Sequence, residues 1–550
     1  MREKSGKFLS REFRIENHIF TSLKYINMKE FLLYITIYIS SISFGQLTDA
    51  QLIDTLQKDV FKYFWDYTHP ISKLSRERIH EDDLSFDENT IAVGGSGFGF
   101  LNIIVGIENG FITSSEGVEH LNTALDFLDN APRFHGAWSH WINGNDGSVI
   151  PFSNFDDGGD LVETALLCQS LICIREYFKN GNSQEQILAQ KADGLWKGVE
   201  WNWYTKGENV LYWHWSPNYN WQMNLPIQGY NEALITYILA VASEDYSISN
   251  DAYHEGWMRN GNIVSTSSQY NIPTIFNHNG AQGTVGPLFW AHYSYLALDP
   301  RGLADSYANY WDVVKNHTEI ILKHCVDNPN EFNGYSDTCW GLTASYSRNA
   351  NGSTGYAAHQ PNNDKGVITP TAALSSLPYT PDESIDFLRY LYEDTQGQYI
   401  GLLGPVDAFS PHYLWKTERY LAIDQGTISP MLENYKTQLF WNLFMSAPEI
   451  QESLHILGFT STEHNLTGIC ENIHQSKIEI YPNPTSNSFT ISSEKVINSE
   501  FKIIDSQGRE VLTGSMNGQE HTIDISKLSK GVYSVVFDNT EYPMVRVIKE

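Results

Sequence analysis

The sequence predicts a large all-α domain built as an (α/α) toroid, followed by a small all-β sandwich. Between residues 46 and 458, apolar side chains recur at intervals of three and four, which is the period of an α-helix. Several of these segments are apolar on every side, so they must be buried behind an outer layer of amphipathic helices. From residue 477 to residue 550 the apolar period is two, which is typical of short β-strands separated by turns.

Length and composition fit this two-part organisation. The chain has 550 residues, 41% of them apolar and 18% charged, so it can bury a large core and is too long for one ordinary domain. Its formal net charge of −29 argues against nucleic acid and anionic membrane surfaces as partners, because either would need a basic field. Aromatic residues make up 13% of the chain, and an excess of Tyr and Trp suits contacts with the faces of sugar rings.

The N-terminal segment, residues 1–45, is predicted to be a secretory signal peptide. An apolar run occupies residues 31–44 and leads into a small-x-small cleavage site at Ser43-Phe44-Gly45. Translation is expected to start at Met28, because the 27 residues before it are unusually long for the basic region of a signal peptide. A single N-terminal anchor helix is the alternative.

The C-terminal part follows a polar segment without a period, residues 459–476, which is predicted to be a linker. Three short motifs within residues 477–550 resemble the C-terminal sorting domain of the type IX secretion system. They are Tyr481-Pro-Asn-Pro484, Leu528-Ser-Lys-Gly531-Val-Tyr533 and Val545-Arg-Val-Ile-Lys549. The resemblance implies a Gram-negative bacterium of the Bacteroidetes type, export through its periplasm by the type IX machinery, and release or attachment at the cell surface. A small carbohydrate-binding sandwich is the alternative, but this part of the chain contains no Trp.

The helical period is strongest in one set of segments of the large domain. They are Leu52–Tyr67, Val118–Leu128, Leu161–Phe178, Leu234–Val241, Leu288–Leu298, Tyr307–His324, Ile385–Tyr392 and Met431–Phe444. Several apolar helices follow polar loops that contain glycine, and Thr369 and Ser429 are expected to be N-caps with proline next to them. Because the inner helices of a toroid run parallel, these loops share one rim. Carboxylates far apart in the sequence are therefore predicted to converge on one cleft.

Asp160 and Glu163 allow two interpretations. Their spacing is that of a capping box, in which Asp160 is the N-cap and Glu163 closes the first turn. Alternatively, Asp156, Asp160 and Glu163 lie on one face of the helix and form part of a site. Both interpretations can hold for different residues.

Glu232 precedes ten uncharged residues and is predicted to lie in the first turn of a buried helix. A carboxyl there, beside Tyr230 and several Trp residues, would be partly desolvated, which raises its pKa as a general acid requires. A surface Glu that stabilises the helix dipole is the alternative. Asp424 lies in the last of the polar loops and is predicted to belong to the site at the rim. The alternative is that its side chain forms an Asx-turn that opens the helix.

Tryptophan is concentrated near these carboxylates. Six of the 15 Trp residues lie between residues 196 and 221, just before Glu232. Core packing would account for some, but aromatic faces beside paired carboxylates are what a sugar-cleaving groove needs. The residues predicted to contact a substrate in this way are Trp138, Trp141, Trp213 and Trp215.

The sequence offers no metal or cofactor site. The glycine-rich stretch 94–99 fails the dinucleotide-binding pattern, and no strand is predicted before it. No nucleophile elbow occurs, and neither the His nor the Cys residues have metal-ligand spacing. Cys168 and Cys173 lie in an apolar helix and are expected in the core. Cys325 and Cys339 either form a disulfide outside the cell or stay free.

Four blocks of the large domain resemble the signature blocks of the glucoamylase-like family, which includes secreted bacterial endo-β-1,2-glucanases. They are Asp156-Asp-Gly-Gly-Asp-Leu-Val-Glu-Thr-Ala165, Gln228-Gly-Tyr-Asn-Glu-Ala233, Gly401-Leu-Leu-Gly-Pro-Val-Asp-Ala-Phe-Ser-Pro411 and Ile423-Asp-Gln-Gly-Thr-Ile-Ser-Pro-Met-Leu-Glu-Asn434. The resemblance implies an (α/α)6 toroid and an inverting hydrolase. It makes Glu232 the candidate acid and places Asp160, Glu163 and Asp424 along the cleft, with Asp424 the expected base.

Other residues of these blocks are expected to bind the substrate. They are Asp156, Gln228, Tyr230 and Asp407. One departure from the family pattern is an insertion-like segment, residues 346–354, which is expected to reshape the groove.

The leading hypothesis is a secreted, monomeric glycoside hydrolase that cleaves a β-glucan, with the β-1,2 linkage favoured. Two alternatives belong to other classes. A polysaccharide lyase can use the same toroid but needs a Tyr/His/Arg cluster for uronates, which an acidic rim repels. A non-catalytic glycan-binding protein at the cell surface would keep the Trp residues and need no carboxylates.

Overall fold

The computed structural model describes residues 46–281, 283–466, 478–505, 509–537 and 545–549. The predicted signal peptide, residues 1–45, lies outside the described residues, as does the predicted linker from residue 467 onward. The chain divides into two compact units. The first comprises the residues up to 450 together with 460–463, and the second comprises 451–459 and the residues from 464 onward.

Most of the α-helices lie in the first unit. In chain order the α-helices are α1 (Asp49–Trp65), α2 (Val93–Glu108), α3 (Ser114–Asn130), α4 (Leu161–Phe178), α5 (Ser183–Lys197), α6 (Leu234–Ala242), α7 (Tyr310–Asp327), α8 (Pro370–Leu374), α9 (Pro381–Arg389), α10 (Ala422–Thr437), α11 (Leu439–Met445) and α12 (Pro448–Ile456). Short 3₁₀ or π turns occupy Trp201–Thr205, Ala252–Trp257, Arg259–Gly261, Leu288–Ala291, Ser294–Leu296, Pro361–Asn363 and Tyr390–Asp394. Of the helices in the described ranges, none combines the length and the apolar character needed to cross a membrane.

Short strands connect these helices, and longer ones form the second unit. They are β1 (Arg78–His80), β2 (Thr90–Ala92), β3 (Trp141–Asn143), β4 (Val149–Ile150), β5 (Gly159–Asp160), β6 (His214–Trp215), β7 (Ser268–Gln269), β8 (Ile272–Pro273), β9 (Leu303–Ala304), β10 (Ala344–Arg348), β11 (Thr354–Ala358), β12 (Ile400–Gly401), β13 (Gly404–Pro405), β14 (Phe409–Ser410), β15 (Trp415–Lys416), β16 (Arg419–Leu421), β17 (Thr460–Ser461), β18 (Ile478–Tyr481), β19 (Ser488–Asp505), β20 (Glu510–Asp524), β21 (Gly531–Phe537) and β22 (Val545–Lys549).

Three of the helices, α1, α3 and α5, are amphipathic and begin with capping boxes. The reciprocal pairs are Thr48 with Gln51, Thr113 with Glu116 and Asn182 with Glu185. Each pair satisfies backbone N–H groups that the first helical turn leaves without partners. One face of each helix is buried, and the opposite face is exposed.

Four helices, α2, α4, α6 and α10, are buried nearly all round. Helix α4 packs against α2 and α6, while α2 also contacts α10, and α10 contacts α8. The amphipathic helices α1, α3 and α5 pack on this buried row and precede α2, α4 and α6 in the chain. The prediction of a helical domain with buried inner helices is therefore confirmed.

The glycine-rich stretch 94–99 is the start of a buried helix, α2, and strand β2 precedes it. The sequence prediction of no preceding strand is wrong, because Thr90–Ala92 pair with β3. At Gly97, an added Cβ would lie 2.7 Å from Leu167 Cα. Glycine is needed there because the backbones of α2 and α4 touch.

Several predicted helix boundaries are wrong. Residues 288–298 form two short 3₁₀ turns rather than an α-helix. Residues 431–444 are divided between α10 and α11, because Gln438 adopts a left-handed φ of 62°. Helix α10 begins at Ala422, so Ser429 is not an N-cap, and Pro430 lies inside the helix. Thr369 precedes Pro370 at the start of α8, as predicted.

The described cysteines, Cys168, Cys173, Cys325 and Cys339, are all buried and free. The core location of Cys168 and Cys173 in α4 is confirmed. For Cys325 and Cys339 the structure has two separate thiols, so the disulfide alternative is not realised in it.

Residues 460–463 of the predicted linker belong to the first unit. Strand β17, Thr460–Ser461, pairs antiparallel with β9, Leu303–Ala304. Within the predicted linker, Thr460 and Ser461 are therefore paired with a strand of the first unit.

The second unit contains an antiparallel β-sheet with the strand order β18-β19-β21-β22, and β20 pairs with β19. Its core includes Phe489, Ile491, Phe501, Ile503 and Val535, which alternate along their strands. Where the sequence predicts short strands, residues 488–505 form one long strand, β19, whose pairing with β20 shifts between Ser492 and Ile497. A C-terminal β-sheet region is thus confirmed.

Candidate active site

A cavity of about 390 Å³ lies where several buried helices begin. Its wall includes Ala92 just before α2, Glu163 in the first turn of α4, Glu232 just before α6 and Ile423 in the first turn of α10. The starts of these helices therefore meet at one place, which is the convergence that the polar loops predict.

Seven aromatic side chains line the cavity. They are Trp141, Phe152, Trp213, Phe289, Tyr293, Tyr346 and Tyr356. Glu77, Arg78 and His140 add charged groups to the two carboxyls of Glu163 and Glu232. Broad aromatic faces with a few fixed polar groups suit the ring faces and hydroxyls of a neutral sugar.

Glu232 lies in a turn two residues before α6 rather than in its first helical turn. The Ser294 hydroxyl donates a hydrogen bond to the Glu232 carbonyl, which fixes the backbone at this position. Burial raises the pKa of the Glu232 carboxyl to about 7, and the nearby charges of Glu163 and Asp160 add to the shift. Such a carboxyl keeps its proton close to neutral pH and can donate it to a substrate.

Asp160 is the N-cap of α4 and is fully buried. Its Oδ1 accepts hydrogen bonds of 3.0 Å from the backbone N–H groups of Val162 and Glu163. Its Oδ2 accepts a 2.8 Å hydrogen bond from His140 Nδ1 and lies 3.2 Å from His214 Nε2. The capping interpretation is correct for Asp160, and both of its oxygens are engaged by the protein.

His140 and His214 hold this buried carboxylate between two positive charges. Burial lowers both imidazole pKa values, but the carboxylates outweigh it. Glu163 and Asp160 raise the pKa of His140 to about 9, and Asp160 with Asp156 raises that of His214 to about 10. Although burial opposes it, the two imidazoles in turn hold the pKa of Asp160 well below its usual range.

The same cluster has the spacing of a metal-binding group. Ligand atoms of His140, Asp156 and Asp160 lie within 4.8 Å of one another. However, His214 Nε2 is 3.0 Å from Asp156 Oδ2, so protonated imidazoles already neutralise these carboxylates. A divalent cation would have to displace those protons.

Glu163 does not close a capping box. Its Oε2 accepts a 2.7 Å hydrogen bond from the backbone N–H of Gly94, across the junction of α2 and α4. A Cβ added at Gly94 would lie 2.6 Å from that oxygen, so glycine is needed for this contact. Burial raises the pKa of Glu163, and His140 partly offsets the shift. Glu163 thus lines the cavity through a tertiary contact.

Asp407 and Asp424 form a second buried cluster beside the cavity. Each of the two carboxyls affects the pKa of the other. Burial raises the pKa of Asp407 to about 6, and burial together with the charge of Asp407 raises that of Asp424 well above its usual range. Neither side chain is part of the cavity wall, but Leu421 and Ile423, next to Asp424, are.

The insertion-like segment 346–354 is part of a β-hairpin, β10–β11, that borders the cavity. Tyr346 and Tyr356 are directly opposite each other in the hairpin. Tyr346 is buried, and its hydroxyl is 3.1 Å from His80 Nε2. Tyr356 is 61% exposed, so its ring is available to a ligand.

The structure separates the predicted substrate-binding residues into two groups. Trp141 and Trp213 line the cavity. Trp138 is fully buried and donates its indole N–H to the Leu128 carbonyl, so its prediction as a sugar contact is wrong. Trp215 lies outside the cavity wall, edge-on to the ring of His135.

Three further predicted contacts also lie away from the cavity wall. Tyr230 is buried, and its hydroxyl donates to the Trp290 carbonyl. The Gln228 carbonyl accepts hydrogen bonds from the side chains of Asn231 and Asn279. Asp156 is buried against His214. None of these three residues lines the cavity.

The sequence interpretation missed Glu77, Arg78, His140, His214 and the hairpin tyrosines. Each belongs to a short strand or loop, where no periodicity singles out a functional residue. The one available signal was the proximity of His140 and His214 to Trp141 and Trp213 in the sequence.

Comparisons with known proteins agree with this geometry. Residues 224–448 match the family model described as "Putative glucoamylase", and residues 479–549 match the model described as secretion system C-terminal sorting domain. A solved structure of an endo-β-1,2-glucanase from Chitinophaga pinensis is 50% identical, with a TM-score of 0.73, and the match covers 76% of this chain and 99% of that one. A solved β-1,2-glucanase from Parabacteroides distasonis is 38% identical, with a TM-score of 0.70, over 75% of this chain and 60% of that one.

A curated relative from Parabacteroides distasonis is an exo β-1,2-glucooligosaccharide sophorohydrolase acting at the non-reducing end. It is 39% identical over 426 residues, which are 74% of this chain. The chain spans 58% of the length of that relative. The Chitinophaga protein, in contrast, is matched over nearly its whole length. The chain therefore belongs to the glucoamylase-like family that includes these β-1,2-glucanases.

Proposed function

We propose that the chain is an inverting glycoside hydrolase that cleaves β-1,2-linked glucan, with Glu232 as the general acid. The observation that carries the proposal is a carboxyl with a pKa of about 7 in the wall of a cavity that seven aromatic side chains line. The activities of the relatives from Chitinophaga pinensis and Parabacteroides distasonis supply the linkage.

In this mechanism Glu232 protonates the leaving glycosidic oxygen, directly or through a substrate hydroxyl, and Asp424 takes a proton from the attacking water. Inversion requires an acid and a base about 6.5–9.5 Å apart, so that one water fits between the base and the sugar. Trp141, Trp213 and Tyr356 offer ring faces that can hold the glucose units in register. Asp160, with both oxygens engaged, anchors the site without touching the reacting atoms.

The proposal also includes the arrangement of the helices of the first unit in a closed ring. The buried row α6, α4, α2, α10 and α8, with the 3₁₀ turns of residues 288–296 as the sixth inner element, forms an (α/α)6 toroid. The alternation of amphipathic and buried helices along the chain supports this arrangement. It explains why the starts of α2, α4, α6 and α10 surround one cavity.

Export is proposed to use both ends of the chain. Residues 1–45 direct secretion to the periplasm, and the sorting domain, residues 477–550, directs a monomeric enzyme through the type IX machinery to the cell surface or beyond. The match to the sorting-domain model over residues 479–549 supports the second step. Deletion of 477–550 is expected to leave a folded, active helical domain that stays in the periplasm of the native host.

A reducing-sugar assay of the purified chain on a panel of neutral glucans tests the proposal. We expect hydrolysis of β-1,2-glucan above other linkages, and the first product should have the α-anomeric configuration. A lyase would instead release unsaturated products from uronate polymers. A glycan-binding protein would bind β-1,2-glucan without cleaving it. Either result would contradict the proposed function.

A further inference from the structure

Glu232 lies in a turn, residues 228–233, that is outside any helix or strand. Because such a turn has no regular ladder of backbone hydrogen bonds, contacts from other segments must hold it in place. A neighbouring loop supplies two of them. Asn279 donates its backbone N–H to the Tyr230 carbonyl and its side-chain amide to the Gln228 carbonyl, each at 3.0 Å. The position of the Glu232 carboxyl therefore depends on how that loop is held.

Two histidines hold the loop through one glycine. Gly286 donates its backbone N–H to His278 Nδ1 at 2.9 Å, and its carbonyl accepts a 2.9 Å hydrogen bond from His317 Nε2. His278 precedes Asn279 in the loop, whereas His317 belongs to α7. We call His278, Gly286 and His317 the histidine clamp. It ties the loop beside the Glu232 turn to a helix.

The hydrogen bonds of the clamp fix the protonation of both imidazoles. His278 Nδ1 accepts a hydrogen bond and so carries no proton, while His317 Nε2 must carry one to donate to a carbonyl. Both side chains are buried, and burial lowers the pKa of both imidazoles, so both rings are neutral. Replacing either ring by an uncharged side chain therefore changes a hydrogen bond without changing the charge.

Tyr230 connects the clamp to the turn that carries the acid. Its ring centroid lies 4.8 Å from that of His278 and 6.0 Å from that of His317. The Tyr230 hydroxyl donates to the Trp290 carbonyl, so the ring is fixed at both ends. Glu232 follows two residues later. A displaced imidazole would therefore shift the backbone at Tyr230 and, with it, Glu232.

We propose that His278 and His317 are positioning residues for the general acid, because their hydrogen bonds to Gly286 fix the turn that carries Glu232. Neither imidazole is part of the cavity wall, so neither contacts the substrate there. The inference rests on the proposed hydrolase function. Misplacing a catalytic group by about 1 Å can cost about 10²-fold in rate, so the clamp is expected to act on kcat rather than on affinity.

The test compares kcat and KM on β-1,2-glucan for the wild type, His278→Leu and His317→Leu. Each Leu variant stays apolar and loses its bond to Gly286, so kcat should fall by about 10–100-fold, with KM within about twofold of the wild type. A loosened turn also admits water, which lowers the pKa of Glu232. The basic limb of kcat/KM should therefore move to lower pH by about 0.5 unit or more.

The titratable groups that act on Glu232 are the same in all of these variants. They are the carboxyls of Glu163 and Asp160 and the hydroxyls of Tyr230, Tyr293 and Tyr356. A shift of the basic limb therefore reports a change in the burial of Glu232 rather than the loss of a neighbouring charge.

Two conservative variants should restore the activity. The amide oxygen of His278→Asn can accept from the Gly286 N–H in place of Nδ1, and the amide of His317→Gln can donate to the Gly286 carbonyl in place of Nε2. Both are expected to keep kcat close to that of the wild type. If the Leu variants fail to fold, His278→Gln and His317→Asn replace them, because these amides have the wrong length for the bond but remain polar.

His120→Leu is the matched control. His120 is also buried and donates a 3.0 Å hydrogen bond to a backbone carbonyl, that of Lys73, but it lies in α3 and outside the cavity wall. The variant is expected to lower the melting temperature without changing kcat or the basic limb.

Four outcomes would overturn the inference. They are wild-type kcat in folded clamp variants, a rise in KM alone, conservative variants no more active than the Leu variants, and an equal loss of kcat in His120→Leu. The wild type distinguishes these results from failure of the proposed function. A wild type that does not hydrolyse β-1,2-glucan would contradict that function, whereas an active wild type with equally active clamp variants would contradict only the clamp.

Discussion

Asp160 and Asp424 occupy similar places in the fold and have opposite environments. Each lies at the start of a buried helix, α4 or α10, and each is almost wholly buried. Asp160 is surrounded by two backbone N–H groups and two imidazoles, which hold its pKa low despite burial. Asp424 faces another carboxyl, so burial and the charge of Asp407 raise its pKa. The position of a carboxylate at the rim therefore does not assign its role, and its partners do.

The difference separates an anchor from a reactive group. A carboxylate with two backbone N–H groups on one oxygen and two imidazoles on the other has little affinity left for another proton, so Asp160 is unsuited to be a base. Burial and the charge of Asp407 raise the pKa of Asp424 well above its usual range, so Asp424 retains the proton affinity that a base requires. The comparison predicts which substitutions affect activity and which affect stability.

The largest effect is expected for Asp424→Asn. Loss of the base should reduce kcat by about 10²–10⁴-fold, since general base catalysis contributes an amount of this order. Azide should restore part of the activity, because a small anion can attack without losing a proton. Steady-state kinetics with and without azide measure both effects. Normal hydrolysis by this variant would move the base to Glu163.

Asp160→Asn is expected to act on stability more than on chemistry. The amide still caps α4, but two buried imidazoles lose their carboxylate, and breaking such a buried pair costs about 3–5 kcal/mol. The raised pKa values of His140 and His214 give stability that is fully present below about pH 6.5 and is lost as the pH rises through about 9 to 10. The penalty in denaturant unfolding should therefore be larger at pH 6 than at pH 10.

A matched control for that experiment is Asp156→Asn, which removes a carboxylate that pairs with His214 alone. Its cost should be smaller than that of Asp160→Asn at pH 6. If Asp160→Asn cost no more than the loss of a helix cap, a few tenths of a kcal/mol, the anchoring role of the two histidines would be wrong.

The smallest effect is expected for Glu163→Gln. The charge of Glu163 helps to raise the pKa of Glu232, so its removal should lower that pKa and move the basic limb of kcat/KM to lower pH. We expect a shift of less than about one pH unit, because burial is the larger cause. The control is Asp386→Asn, which removes an exposed charge on α9 outside the cavity wall. An upward shift, or an equal shift in the control, would contradict the coupling between Glu163 and Glu232.

Where apolar residues recur with a clear helical period, the sequence predicts the helix correctly. Leu161–Phe178 was predicted with the bounds that α4 has, since its capping residue and apolar run are both visible. The helix α2 was missed because glycines, which disfavour isolated helices, are needed there for close contact with α4. The start of α10 was misplaced because Pro430 is tolerated inside that helix.

Of the candidate site, the sequence predicts only those residues that lie at the start of a buried helix. Glu163 and Glu232 were found because each lies at the start of a buried helix. Trp138 and Trp141 are three residues apart, yet one is in the core beneath Arg133 and the other faces the cavity, and nothing in their spacing distinguishes them. The mutual effect of Asp407 and Asp424 on their pKa values arises from the tertiary structure and leaves no pattern in the sequence.

The most direct test of the central claim is the turnover of β-1,2-glucan by Glu232→Gln. The amide keeps the shape of the side chain but has no proton to give, so kcat should fall by about 10²–10⁴-fold while the affinity for glucan persists. Binding measured by calorimetry on the same preparation separates loss of catalysis from loss of structure. A variant that retained more than about a third of the wild-type rate, far above that range, would show that Glu232 is not the acid.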